Sequence, residues 1–158
     1  MTEPPDTSFT EQDLTWMAEA MEMAKRAGAE GEVPIGAVIV RDGEVIGRGW
    51  NRNIGLNDPS AHAEIMAMRE AGKALGNHRL TGCSLYVTLE PCPMCAGAMI
   101  HARLGRVIYA ADDPKTGAAG GKFDLLGNPA HNHVIEIVSG CLAEESSAFL
   151  REFFRQRR

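Results

Sequence analysis

Cys92 and Cys95 are separated by only two residues in the segment TLEPCPMC, which spans residues 88–95. Two thiols at this spacing are compatible with a redox dithiol, with half of a structural zinc site or with part of a catalytic zinc site. Pro93 favours a helix that begins here, because the first turn does not use the N–H group that proline lacks. Both sulfur atoms would then share the face that continues with Ala96, which predicts that they point toward the core. A redox dithiol usually keeps its attacking sulfur accessible, so this arrangement favours metal binding.

A second half-site lies about 30 residues upstream, in the segment AHAEIM. His62 and Glu64 are predicted in the first turn of another helix. One imidazole and two thiolates make a three-ligand zinc site that leaves the fourth position for water. A closed structural site needs a fourth strong ligand, for which the candidates are Cys83, Cys141, His78, His101, His131 and His133. Cys83 and Cys141 show no paired spacing, and His131 and His133 alternate across a loop-to-strand entry, as residues at a surface or a sheet edge do. The pattern therefore disfavours a structural site.

The predicted site combines the two functions that hydrolytic deamination requires. Zinc lowers the pKa of a bound water to about 7 and so provides hydroxide at neutral pH. Glu64, two residues from a ligand, is positioned to take that proton and deliver it elsewhere. In the reaction, hydroxide adds to an amidine-like carbon, a ring nitrogen is protonated and ammonia leaves. The arrangement H-x-E…P-C-x-x-C is typical of zinc nucleobase deaminases.

Helices and strands alternate along the chain around these motifs. Apolar periodicity predicts helices at 10–28, 58–76, 92–104 and 142–158, and strands at 34–40, 44–50, 83–90, 106–111 and 133–138. Asp42-Gly43 is a two-residue hairpin signal, and Ser60 is a candidate N-cap of the second helix. The path from the third strand to the fourth is long enough for a parallel crossover. The pattern predicts one sheet covered by helices.

Length and composition indicate an ordinary soluble protein with a loose N-terminus at 1–8 and a single domain at 9–158. The chain has 158 residues, of which 44% are hydrophobic and 23% charged, and only four cysteines. Its start lacks the basic and apolar regions of a signal peptide, and no apolar run approaches the ~18 residues of a membrane span. We therefore expect a cytoplasmic protein with no membrane association.

Charge is unevenly distributed along the chain. The net charge of −5 argues against a nucleic-acid partner, but the last eight residues hold four arginines and one glutamate. Cations at the end of a helix are commonly a solvated terminus, where they complement the helix dipole. The apolar stripe of this helix is predicted to be core rather than a surface for stacking bases: Phe149, Leu150, Phe153 and Phe154.

The sequence resembles the bacterial tRNA-specific adenosine deaminase family, within the cytidine-deaminase-like superfamily. The resemblance rests on GWNR, DPSAHAEI, TLEPCPMCAGAMIHARLGRVIYAADDPKTGAAG and the NH before the last strand. It implies an α/β fold, a three-layer α/β/α sandwich with a five-stranded mixed sheet and helices on both faces. It also implies a homodimer, one Zn2+ per subunit and a tRNA anticodon stem-loop as substrate. The implied reaction converts the wobble adenosine to inosine by attack of zinc-bound hydroxide on C6.

The resemblance also implies roles for individual residues. The zinc ligands of the family match His62, Cys92 and Cys95, and its proton shuttle matches Glu64. The implied RNA contacts are Asn51 to the flipped adenine, Asp113 to a ribose, and Lys115, Arg151 and Arg155 to phosphates. Two alternatives share the same zinc motif: a deaminase of free bases or nucleotides, and an RNA-binding scaffold whose zinc is structural.

Overall fold

The computed structural model describes residues 9–157, so the predicted loose segment 1–8 lies outside the described residues. Four helices and five strands follow in chain order: α1 (Glu11–Ala29), β1 (Gly36–Arg41), β2 (Glu44–Trp50), α2 (Ala63–Leu75), β3 (Ser84–Leu89), α3 (Pro93–Ala102), β4 (Arg106–Ala111), β5 (Glu136–Ser139) and α4 (Ala143–Arg155).

The strands form one mixed sheet in the order β2-β1-β3-β4-β5. β1 is antiparallel to both β2 and β3, whereas β3, β4 and β5 are mutually parallel. The β1–β2 hairpin turns at Asp42 and Gly43, whose φ angles of 51° and 76° suit a tight two-residue turn. α3 forms the parallel crossover from β3 to β4. The predicted mixed sheet and crossover are confirmed.

Helices cover both faces of the sheet. α2 and α3 pack on one face around Ile39, Leu85 and Val107, while α1 and α4 lie on the other. Gly49 in β2 permits the close approach of α2, because a Cβ there would overlap with the carbonyl oxygen of Ala63. Among the described residues, no helix has the length and apolar character needed to cross a membrane. The three-layer α/β/α prediction is confirmed.

A buried ion pair links the start of α1 to the start of β4. Asp13 is 2% exposed and accepts two hydrogen bonds from Arg106, at 2.7 and 2.8 Å, and one from the Tyr86 hydroxyl at 2.7 Å. It also completes a capping box with Thr10 at the start of α1. The Arg106 guanidinium holds the pKa of Asp13 well below its usual value. This cluster lies at the opposite end of the strands from the predicted metal site.

Two sequence-based boundaries and one prediction of burial differ from the structure. The N-cap of α2 is His62 rather than Ser60, because Ser60 instead donates both its N–H and its hydroxyl to Asp58 in a local turn. β5 begins at Glu136, three residues later than predicted. The α4 stripe is not core throughout, since Phe154 is 50% exposed. α4 packs mainly against β4 and β3.

Candidate active site

Two helix N-termini meet at the edge of the sheet where β2, β3 and β4 end. His62 is the N-cap of α2, and Cys92 is the N-cap of α3, with Cys95 in the first turn of α3. The positive ends of two helix dipoles therefore converge on the thiols, which favours their ionised form. The carboxyl edge of parallel strands is also where ligands bind in open α/β sheets.

The donor atoms fit a tetrahedral zinc ion. The Nδ1 atom of His62 lies 3.5 Å from the sulfur of Cys92 and 3.5 Å from that of Cys95. Ordinary zinc–sulfur and zinc–nitrogen bond lengths at a tetrahedral angle place sulfur and nitrogen about 3.6 Å apart. All three donor atoms lie within 4.8 Å of one another. Among residues 9–157, this trio is the one cluster of its kind that could hold a metal ion, and it supplies three ligands rather than four.

Without a metal, the two thiols behave as one titrating unit. The hydrogen bond from Cys95 and the His62 imidazole lower the pKa of Cys92 to about 4. The same contact with Cys92, together with burial, raises the pKa of Cys95. The Cys92 thiolate in turn raises the pKa of His62. Zinc binds cysteine as the thiolate, so a proton held on either sulfur must leave when the metal binds.

Glu64 lies in the first turn of α2, two residues from His62, and is 4% exposed. Burial raises the pKa of its carboxyl group to about 7. A carboxyl group with this pKa exchanges its proton near neutral pH, as a general acid and base must. Its side chain lines the same cavity as His62 and Cys92.

Asn51 joins the end of β2 to the start of α2. Its Oδ1 accepts the N–H of Ala63 at 2.9 Å, which satisfies the first free donor of the helix. Its Nδ2 makes no hydrogen bond within the described residues. Every fully buried side-chain nitrogen in this part of the chain has a hydrogen-bond partner, so Nδ2 is not fully buried. The Nδ2 group is therefore accessible, and Asn51 lines the cavity. Its position directly after a strand is typical of a turn residue, so residue type and spacing alone identify neither feature.

The cavity has a volume of about 500 Å³ and brings most of the predicted site residues together. Its lining includes Asn51, Asp113 and Lys115 beside the candidate metal ligands. Arg151 and Arg155 are not part of the lining. Both are exposed, and Arg155 forms an ion pair with Glu152 at 2.6 Å. The predicted base and ribose contacts thus share one pocket with the candidate metal ligands His62 and Cys92, and the two arginines lie outside it.

Several residues that line the cavity were not predicted as site residues: Asn53, Glu90, Asp112, Thr116, Leu150 and Phe154. Glu90 could have been identified as a site residue, because it is a charged residue between a buried strand and the Cys92 segment. Phe154 could not, because its helical spacing is that of a core residue. Loop residues such as Asn53 have no periodicity that could have identified them.

The chain matches a family model described as the cytidine and deoxycytidylate deaminase zinc-binding region, over residues 10–111. It is 49% identical over 150 residues to the tRNA-specific adenosine deaminase of Haemophilus influenzae, covering 94% of this chain and 87% of that protein. It is 50% identical over 147 residues to the tRNA-specific adenosine deaminase of Bacillus subtilis, covering 93% and 91%.

A solved structure leads to the same family. It comes from work on A-to-I editing by deaminases acting at the wobble position of transfer RNA, and it superposes with a TM-score of 0.82 at 47% identity. The match covers 85% of this chain and 98% of that one. Together with the three-donor cluster and the buried glutamate beside it, these similarities show that the chain belongs to the tRNA-specific adenosine deaminases, a family of hydrolytic enzymes with a cytidine deaminase zinc-binding region.

Proposed function

We propose that this protein converts the wobble adenosine of a tRNA anticodon to inosine by hydrolytic deamination. The observation that carries the proposal is the buried Glu64 beside three convergent atoms that could bind a metal, where Glu64, His62 and Cys92 line one pocket. Relatives at about 50% identity over most of the chain are named for adenosine deamination in tRNA. We also propose that the protein is cytoplasmic, because its proposed substrate is a tRNA.

His62, Cys92 and Cys95 would hold one Zn2+ per subunit, supported by donor separations that suit a tetrahedral ion. Zinc bound there would lower the pKa of water and so make a nucleophile available at neutral pH. Two thiolates balance the charge of the ion, so the site needs no further anion.

Glu64 is proposed as the group that moves protons. Its carboxylate takes a proton from the attacking water and donates it to a ring nitrogen of the adenine, which makes C6 more electrophilic. After the hydroxyl group has added to C6, Glu64 takes the proton of that hydroxyl and delivers it to the amino group on C6, which leaves as ammonia. The pKa of about 7 supports this role, because both protonation states are accessible near neutral pH.

The remaining contacts are proposed from the lining of the pocket. Asn51 would donate from Nδ2 to the adenine, while Asp113 and Lys115 would contact the sugar-phosphate backbone. A volume of about 500 Å³ accommodates a nucleoside, so the target base must leave its stack to enter. Arg151 and Arg155 lie outside the pocket on exposed turns of α4, a position suited to phosphates farther along the stem.

We further propose that the protein acts as a homodimer. An apolar groove of about 660 Å³ runs between α2 and α3 and is lined by Ile65, Met68 and Ala98, among others. A second copy of the chain covering this groove would bury these side chains.

The direct test is inosine formation in an anticodon stem-loop with adenosine at the wobble position. Glu64→Gln keeps the size of the side chain but cannot carry the proton, so we expect intact zinc content and a loss of at least about 10²-fold in activity. Glu144→Gln, an exposed change on α4, is the matched control and should retain activity.

Three results would count against the proposal. A zinc-loaded wild-type enzyme that formed no inosine would exclude the reaction. Turnover of free guanine or cytosine far above that of the stem-loop would favour a free-base deaminase. Four protein ligands on zinc, seen by X-ray absorption spectroscopy, would indicate a structural metal.

A further inference from the structure

Glu90 is a buried acidic residue whose carboxyl group is surrounded by backbone N–H groups. It follows β3 directly and is 3% exposed. Its Oε1 accepts the N–H of Asp113 at 2.8 Å, and its Oε2 accepts the N–H groups of Ala119 and Gly121 at 2.9 and 2.8 Å. Within residues 9–157, Glu90 takes part in no ion pair. Its partners all belong to one segment, residues 113–121, which we call the pocket loop.

The glycines of the pocket loop allow this close wrapping. A Cβ at Gly121 would lie 2.5 Å from Oε1 of Glu90 and 2.5 Å from the carbonyl oxygen of Asp113. A Cβ at Gly117 would overlap with the Glu90 carboxyl group itself. The loop backbone therefore approaches the carboxyl group more closely than any residue with a side chain at these positions would permit.

Glu90 also connects the pocket loop to the segment that carries the metal ligands. Cys92 lies two residues after Glu90, and the N–H of Ala118 donates to the carbonyl oxygen of Pro91 at 2.8 Å. The pocket loop also reaches the cavity, because the cavity lining includes its residues Asp113, Lys115 and Thr116. A shift of the loop relative to Glu90 would therefore move one wall of the pocket relative to the metal site.

We propose that Glu90 is a positioning residue, which holds the pocket loop in the conformation that receives the RNA substrate. The inference rests on the proposed function for the identity of the substrate. Glu90 does not touch the reacting atoms in this assignment. It acts by fixing the loop backbone before RNA arrives, so that binding does not have to order the loop.

The variant Glu90→Gln separates this role from simple space filling. A carboxylate only accepts hydrogen bonds, whereas a glutamine amide has one accepting oxygen and one donating nitrogen. Because both oxygens of Glu90 accept N–H groups, either orientation of the amide sets its NH₂ group against at least one loop N–H. The loss of one hydrogen bond of ordinary strength corresponds to a change of about tenfold in the opening equilibrium of the loop.

The experiment compares zinc-loaded wild type with Glu90→Gln by amide hydrogen exchange and by steady-state kinetics on the anticodon stem-loop. We expect unchanged zinc content and exchange about tenfold faster at Asp113, Ala119 and Gly121. We also expect a KM raised about tenfold with kcat changed less than threefold, because a loosened loop weakens binding of substrate and transition state alike.

Tyr86→Phe is the control for general destabilisation. It removes the hydroxyl that donates to Asp13 at the far end of the sheet, and it should leave KM unchanged. Gly121→Ala displaces the loop from the other side and, if Glu90→Gln does not fold, should show the same rise in KM.

The proposal would be overturned by wild-type exchange rates at the three loop amides, by a loss confined to kcat, or by loss of zinc from Glu90→Gln. Failure of the proposed function is a separate result, because wild type would then form no inosine while the exchange experiment would still report on the loop.

Discussion

Asn51 offers a way to separate a structural hydrogen bond from a substrate contact within a single side chain. Its Oδ1 accepts the N–H of Ala63, a residue with no exposed surface, while its Nδ2 is accessible from the cavity. Asn51→Ala removes both groups and leaves the Ala63 N–H buried without an acceptor. Asn51→Asp keeps an acceptor for that N–H and removes only the donor.

The magnitudes follow from these contacts. A buried N–H without a partner costs about 1–3 kcal/mol, so Asn51→Ala should lower the free energy of unfolding by that amount. For a chain of this size each kcal/mol shifts Tm by about 2–4 °C, which predicts a fall of about 2–12 °C. Asn51→Asp should stay within about 1 kcal/mol of wild type, because a carboxylate at a helix N-terminus is favourable.

Both variants lack the amide donor, so both should lose activity on the stem-loop. The loss of one hydrogen bond to the substrate, worth about 1–3 kcal/mol, predicts a fall of about 5- to 150-fold in kcat/KM. Thermal unfolding and inosine formation, measured on the same preparations, test the two effects separately. Wild-type kcat/KM in Asn51→Asp would refute the substrate contact and leave Asn51 with the positioning of α2 alone.

Three further predictions concern the ion pair, the metal site and the closing helix. Asp13→Asn should cost about 3–5 kcal/mol at pH 7 in urea unfolding, because it breaks a buried ion pair. The folded-state pKa of Asp13 lies below its unfolded value, so its stabilisation is present above pH ~4 and declines as the pH falls. Zinc binding at pH 7 should release at least one proton, that of Cys95, seen as a dependence of calorimetric heat on the ionisation enthalpy of the buffer. Arg151→Ala should reduce the salt dependence of RNA binding by about 0.7–0.9 in log–log slope, and Arg155→Ala by less, because Glu152 already pairs with Arg155.

Each of these has a clear contrary outcome. A stability difference between wild type and Asp13→Asn that grew below pH 4 would contradict the assignment of the ion pair. Binding heats that did not vary with buffer would mean that Cys95 is already ionised. An unchanged salt dependence of RNA binding in Arg151→Ala would show that Arg151 does not contact RNA phosphates.

Local patterns in the sequence predicted the elements of the fold well. The apolar run at 34–40 predicted a strand, and residues Gly36–Val40 of β1 are buried. Asp42-Gly43 predicted the hairpin, because few residue pairs accept two positive φ angles. Periodicity failed at boundaries that depend on competing side-chain contacts, as at Ser60, whose hydroxyl bonds to Asp58 instead of capping α2. The division into a loose N-terminus and one domain stays a prediction.

The chemistry of the site was also predictable, because it depends on residue types at short spacing. Two thiols three positions apart and an imidazole two positions from a carboxyl group indicate a catalytic zinc site before any fold is known. The assignment of individual ligands and of Glu64 as the proton carrier stays a proposal. Glu64→Gln tests the proton carrier, and X-ray absorption spectroscopy and proton release on zinc binding test the ligands.

The sequence by itself therefore determined which chemical groups are present, which local elements carry them and which family they resemble. Only the tertiary structure decided which distant groups meet. His62 and Cys92 are 30 residues apart in the chain, yet their donor atoms are 3.5 Å apart. The reason is that β2 and β3 lie on either side of the antiparallel β1 and end at the same edge of the sheet, where α2 and α3 begin. Glu90 and the pocket loop meet for a similar reason, since β3 and β4 end side by side. Periodicity records which face of an element is buried, whereas contacts between elements depend on strand order and packing, which no local pattern specifies.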